Sequence, residues 1–297
     1  MNTGRRLQAV YRASPVVPFD ESSKFILFSD CHRGDNSWAD DFAHNENIFY
    51  HALSRYYRDG YTYIEVGDGD ELWENNGFED IRSAHSAVFK LLHRFHEERR
   101  LYLIFGNHDK ERKFQHRVEK SMYRYFDERS GRYLQLFEGI RVHEGLVLNN
   151  ASTGMRIFLV HGHQGDLLND QLWRFGKFLS RFVWRQMQLV GIHDPTRPAV
   201  NSEKRRRIEK RLTRWVQSTS RMIITGHTHR PRFPDAGAPP YFNDGSCVHP
   251  RSITGIELRG GKILLIKWRV STRQNGSLHI RRDVLAGPKP LSLYTPA

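Results

Sequence analysis

Cysteine is scarce: Cys31 and Cys247 are the only two among 297 residues. That excludes a disulfide framework as the basis of the fold and leads us to expect a reducing, cytoplasmic setting. No apolar run approaches the length of a membrane span, so the chain is expected to be soluble, with contact to a membrane only at its periphery. The segment from Met1 to Glu21 carries Arg5, Arg6 and Arg12 but no apolar core, which argues against a secretory signal. No internal repeat or low-complexity tract is found. Acidic residues number 33 against 46 Lys and Arg, a formal net charge of +13. That excess predicts attraction to phosphate-rich partners: a phosphate-containing substrate, an anionic membrane surface or nucleic acid.

The chain is 38% hydrophobic and 12% aromatic, a globular composition, and is read as a single domain over 1–297. Strand and helix signals alternate. Lys24 to Ser29, Tyr61 to Val66 and Leu101 to Phe105 read as strands. Trp38 to Asp59 and Phe78 to Arg99 read as the helices between them. This βαβαβ opening predicts parallel strands with ligands gathered at their C-terminal ends. Residues 110–130 are expected to be helical, Tyr133 to Asn149 to be β structure, and Met155 to Val160 to be a core strand. From Leu167 to Ile192 a helical pattern carries a basic stripe, Arg174, Lys177, Arg181 and Arg185. A second basic helix begins at Ser202, and a core strand resumes at Met222. Residues 165–220 are therefore read as a helical cap inserted beside the site, and the tail from Tyr241 as strands and turns.

Five apolar runs end in metal-ligand side chains: Asp30-Cys31-His32, Gly67-Asp68-Gly69-Asp70-Glu71, Gly106-Asn107-His108-Asp109, His161-Gly162-His163 and Gly226-His227-Thr228-His229. Their oxygen and imidazole donors, without thiolate, suit Mn²⁺, Fe or Zn²⁺. Asp30 and His32 reach one ion only if the strand has begun to turn, and His227 and His229 need the same. Asp68, with two carboxylate oxygens, is the natural bridge between two ions about 3.5–4 Å apart that together clamp a phosphate. His108, held by neighbouring Asp109, is expected to protonate a leaving group or bind a phosphate oxygen. Cys31 reads as a small filler between two ligands.

Together these motifs, with Asn243-Asp244-Gly245-Ser246 after them, resemble the calcineurin-like metallophosphoesterases, in order and over roughly residues 29–246. The resemblance implies a four-layer α/β/β/α sandwich of two mixed sheets. By analogy, Asp30, His32, Asp68 and His229 would hold one divalent ion, and Asp68, Asn107, His161 and His227 the other, most simply Mn²⁺. The cap between the last two motifs resembles that of UDP-2,3-diacylglucosamine hydrolase, although that enzyme has Arg in place of His108 and His-Gly-Asp where this chain has His161-Gly162-His163. The expected activity is hydrolysis of a phosphodiester or pyrophosphate, with a UDP-linked glycolipid as one candidate substrate. A nuclease or nucleotide phosphatase, and a non-enzymatic scaffold, are the alternatives.

Arg33, His163 and Arg230 are candidates for contacting substrate, and Trp173, Phe178 and Trp184 for its apolar part. Asp70 and Asp166 are expected to be solvated loop carboxylates. His44, His51, His85, His93, His96 and His116 are expected at the surface.

Overall fold

The computed structural model describes residues 2–75, 77–166 and 201–294. In chain order the elements are α1 (Thr3–Ala13), β1 (Val16–Phe19), β2 (Lys24–Phe28), α2 (Glu46–Arg58), β3 (Thr62–Val66), α3 (Phe78–Ala84), α4 (Ser86–Glu97) and β4 (Leu101–Ile104). Then come α5 (Gln115–Met122), β5 (Arg124–Asp127), β6 (Arg132–Gln135), β7 (Val142–His143), β8 (Gly145–Asn150) and β9 (Arg156–Val160). After these follow α6 (Ser202–Thr219), β10 (Met222–Thr225), β11 (Tyr241–Asn243), β12 (Ser252–Arg259), β13 (Lys262–Thr272) and β14 (Leu278–Pro290).

Two mixed sheets form. One has the order β14-β13-β12-β2-β3-β4-β7, the other β1-β8-β9-β10-β11, and β5 with β6 makes a separate hairpin. The strands β2, β3, β4 and β7 run parallel, and β9, β10 and β11 likewise. The run Phe25-Ile26-Leu27-Phe28 is buried throughout because β2 has covered surfaces on both faces. Leu27, Ile64, Ile104, Ile256 and Leu265 of the larger sheet meet Leu146, Leu148, Ile157, Leu159 and Ile224 of the smaller. On the outer face of the larger sheet lie Phe49, Leu53, Leu92 and Phe95 of α2 and α4. On the outer face of the smaller lie Leu7 and Val10 of α1 with Ile208, Leu212, Trp215 and Val216 of α6. The result is the four-layer α/β/β/α sandwich.

The differences from the sequence reading have local causes. The expected helix from Phe78 to Arg99 is two helices, broken at His85. His85 is fully buried, not a surface residue: Nε2 lies 2.8 Å from Asp40 Oδ2 and Nδ1 lies 3.3 Å from Glu46 Oε2. The helix expected from 38 begins only at Glu46, because Asp40 bonds the amides of Asn36, Phe42 and Ala43 and holds the preceding stretch in turns. Within 110–130 only Gln115–Met122 is α-helical, and Arg124–Asp127 is a strand. The first strand of the chain is β1, in the smaller sheet, paired in parallel with β8. Of the expected cap, residues 167–200, including Trp173, Phe178, Trp184 and the basic stripe from Arg174 to Arg185, lie outside the described residues. The remaining part, α6, packs its apolar face onto the smaller sheet as an outer layer. No helix among the described residues is long and apolar enough to cross a membrane.

Candidate metal centre

The motif loops meet where the parallel strands of both sheets end. Residues two apart in extended backbone share a face but stand about 6.6 Å apart along the strand, so bringing both to one point requires the chain to turn. It turns by a left-handed backbone at five non-glycine positions: Asp30 (φ 49°), His32 (φ 48°), Asp68 (φ 50°), His227 (φ 67°) and His229 (φ 53°). Such conformations cost about 1–2 kcal/mol each and cluster at functional sites. Gly226 is required beside them, because a Cβ there would stand 2.1 Å from Ser29 Oγ and 2.5 Å from Asp30 Oδ2.

Asp30 Oδ1 lies 3.0 Å from His229 Nε2, 3.8 Å from His32 Nε2 and 3.9 Å from His161 Nε2. Asp68 Oδ2 lies 3.0 Å from His161 Nε2 and 3.9 Å from His32 Nε2, between the two expected ligand groups. Among the described residues three compact sets result: Asp30 with His32 and His229, Asp68 with His161 and His227, and His32 with Glu71 and His108. His32 Nδ1 is 2.9 Å from Glu71 Oε2, and His161 Nδ1 is 2.9 Å from the Val66 carbonyl. Each contact directs the other ring nitrogen, Nε2, into the site, as a carboxylate or carbonyl behind a ligand histidine does. His227 Nε2 and Asn107 Oδ1 are buried without a hydrogen-bond partner among the described residues. Orphaned buried polar atoms are costly, so a divalent cation fits this donor set.

The electrostatics follow from crowding. Burial opposes ionisation of Asp30, yet His229 and His161 hold its carboxyl well below the usual range. Burial would lower the His161 imidazole, but Asp68 and Asp30 push it up to about 9. Burial, with His161 alongside, drives His227 down to about 3, leaving it neutral and ready to ligate.

Several expected roles are corrected. Arg33 does not face substrate. It is 1% exposed, with Nη1 and Nη2 at 2.7 and 2.8 Å from Glu65 and Nε at 2.6 Å from Asp70. Asp70 is therefore no solvated carboxylate, and Arg112 pairs with it as well. Asp166 is buried and paired with Lys204 Nζ at 2.8 Å. His163 lies fully buried behind His161, its imidazole lowered well below the usual value by burial and by Lys110. Arg230 stays exposed. Asp109 does not hold His108. It accepts from the amides of Gly106 (2.6 Å) and Gly69 (3.2 Å), and burial pushes it up to about 7. The carboxylate behind His108 is Glu71, 2.7 Å from Nδ1, and Trp73 stacks on the ring with centroids 4.3 Å apart.

Sequence reasoning missed Glu65 and the pairing of Ser29 with Asp244. A glutamate inside an otherwise apolar strand, as at Glu65, was the available signal for a buried cation partner. Ser29 Oγ stands 2.5 Å from Asp30 Oδ2 and 2.6 Å from Asp244 Oδ1. Its one proton serves one of them. Burial pushes the Asp244 carboxyl well above the usual range.

Removing Arg33 would leave Glu65 and Asp70 buried with a cation short. Arg33→Ala is expected to cost about 3–5 kcal/mol of stability, read from urea unfolding. A cost under about 1 kcal/mol, the range of an exposed pair, would show that the carboxylates find other partners.

The profile of the family described as calcineurin-like phosphoesterase matches residues 23–231. No curated protein matches the chain. Among solved structures, Vps29 from Chaetomium thermophilum is similar over 91% of this chain and 100% of its own, at 11% identity and a TM-score of 0.43. Vps29 from Entamoeba histolytica, complexed with Zn²⁺, is similar over 88% of this chain and 98% of its own, at 17% identity and a TM-score of 0.34. Likeness at this level carries no argument about activity.

Proposed function

The chain belongs to the calcineurin-like phosphoesterase family, and from that premise we propose that it hydrolyses a phosphodiester or pyrophosphate bond using two divalent cations. The observation that carries the reading is the convergence of Asp30, His32, Asp68, His161, His227 and His229 into two adjoining ligand sets, five of the six in left-handed backbone. Asp30, His32, Asp68 and His229 would hold one ion, and Asp68, Asn107, His161 and His227 the other. Donors of oxygen and imidazole without thiolate favour Mn²⁺, with Fe or Zn²⁺ as alternatives. Such ions would supply Lewis-acid polarisation of the phosphorus–oxygen bonds and a lowered pKa of water.

The remaining work falls to the chain. Glu71 accepts from Nδ1 of His108, so when the ring is doubly protonated Nε2 is the atom that gives a proton to the departing oxygen and the ring is left neutral. Trp73, stacked on the ring, limits its rotation. Glu71 also holds His32, so a single carboxylate orients both a ligand and the proton donor. Asp109 ties the Gly69 and Gly106 turns together and so positions Asp68 and His108.

Substrate identity is carried by the sequence alone at this point. The likeness to UDP-2,3-diacylglucosamine hydrolase puts a UDP-linked glycolipid in the test, although the residues expected to hold its acyl chains lie outside the described ones. A cytoplasmic setting with contact to an anionic membrane surface rests on cysteine content and charge. The Mn²⁺-loaded protein should be assayed on bis-nitrophenyl phosphate, nucleotides, oligonucleotides and a UDP-linked glycolipid. Failure on every one would reject the phosphoesterase reading in favour of a scaffold. Chelation should abolish turnover and lower the melting temperature, and Mn²⁺ should restore both. At a hundredfold excess over its Kd a bound ion stabilises by about 2.7 kcal/mol.

A further inference from the structure

Beyond the metal centre, α3, the start of α4, α5 and the β5–β6 hairpin line a groove of about 1020 Å³. Its most buried lining residues include Leu72 and Asn75 of the loop that carries Glu71, and Asn75 Nδ2 donates to the Glu71 carbonyl at 2.8 Å. At the hairpin, Phe126 is 43% exposed and Tyr133 is 72% exposed, edge to face with centroids 5.4 Å apart. Arg82 lies 4.1 Å from the Tyr125 ring. Exposed Lys90, Lys120 and Arg129 also line the groove and make no close ion pair among the described residues. Two of the lining acids are already engaged, Glu79 by Arg82 at 2.6 Å and Glu111 by Arg117 at 2.7 Å, which leaves Asp127 and Glu128 at the hairpin. Exposed cations and two exposed aromatic rings thus line one groove.

A second cationic surface lies on the other flank of the centre. Lys204 at the start of α6 pairs with Asp166, itself 4.0 Å from His227 Nε2. From there Arg206, Lys210 and Arg214 follow at helical spacing on the exposed face. The apolar face of α6 is spent on the smaller sheet, so the helix has none left to insert into a bilayer.

Given the phosphoesterase reading, on which this step rests, we propose that the groove binds single-stranded nucleic acid and that the bond hydrolysed is internucleotide. Phosphates pair with Lys90, Lys120 and Arg129, and unpaired bases stack on Phe126 and Tyr133, the combination by which such strands are held without sequence preference. A concave channel suits a chain and not a flat membrane. A base paired in a duplex would not offer its face to the rings.

The test measures fluorescence anisotropy of a labelled, phosphorothioate-linked oligothymidylate with the Mn²⁺-loaded protein across a salt series. Binding should weaken steeply with salt. The triple variant Lys90→Ala/Lys120→Ala/Arg129→Ala should make the slope shallower by about 2, at about 0.7 per phosphate contact. Tyr133→Ala should weaken binding about fivefold or more, the effect of losing one stacked base. Turnover of bis-nitrophenyl phosphate should stay at the wild-type level in both variants, which also shows that they fold. No binding, or binding indifferent to both variants, overturns the groove assignment. So does tighter binding to phosphatidylglycerol vesicles that these same variants abolish. If the oligonucleotide binds as described but no phosphodiester is turned over, the phosphoesterase reading fails and the groove stands as a binding site.

Discussion

Purified Asp68→Asn is expected to retain almost none of the divalent metal and to show only background turnover of phosphodiesters. Asp68 Oδ2 lies 3.0 Å from His161 Nε2 and 3.9 Å from His32 Nε2, so one oxygen adjoins both ligand sets. Oδ1 accepts from the His108 amide at 2.8 Å, which fixes the plane of the carboxylate. Asparagine keeps the shape and that hydrogen bond but removes the charge facing two cations. Asp30→Ala should instead lose preferentially the ion shared with His32 and His229. Asp30 Oδ1 also comes within 3.9 Å of His161, which makes the comparison informative. Metal analysis decides between them: wild-type stoichiometry in Asp68→Asn together with loss of both ions in Asp30→Ala would move the shared role to Asp30.

Replacing His108 separates proton transfer from metal binding. His108→Ala should keep both ions and lower kcat by about 10²–10⁴-fold on substrates with a poor leaving group. Nitrophenolate departs without a proton, so nitrophenyl phosphodiesters should suffer least. Equal losses on both kinds of substrate would make His108 a phosphate contact and not an acid. Glu71→Gln should combine two defects, because Glu71 touches both rings: a smaller fall in kcat and a metal affinity lower by about 10–100-fold through His32.

The centre was more legible than its supports. Each metal-facing side chain ends an apolar run, and the chemistry of Asp, Asn and His limits what such a cluster can do. Their supports come from elsewhere in the chain. Glu65, paired with Arg33, sits in a strand that otherwise reads as plain core, and Asp244 reaches Asp30 through Ser29 from 215 residues away. Arg33 follows a ligand histidine and has the chemistry of a phosphate contact, but two buried carboxylates claim its guanidinium. Asp109 adjoins His108 in sequence, yet its oxygens face two turn amides, because adjacent side chains in a loop need not share a direction.

Alternating strand and helix signals, which are local properties, made α/β structure legible in the first half of the chain, while the four-layer sandwich was what the family resemblance of the ordered motifs implied. Local sequence also determined that the five loops carry side chains able to ligate a metal. Only the tertiary structure decided that β1, β8, β9, β10 and β11 make a separate sheet, and that α6 covers it as a layer. It alone decided which carboxylates stand behind His32 and His108, and that Arg33, Asp70 and His85 are interior. The reason is physical: a buried charge is stabilised by whatever partner the packing of distant segments brings within hydrogen-bond distance, and no spacing along the chain encodes that meeting.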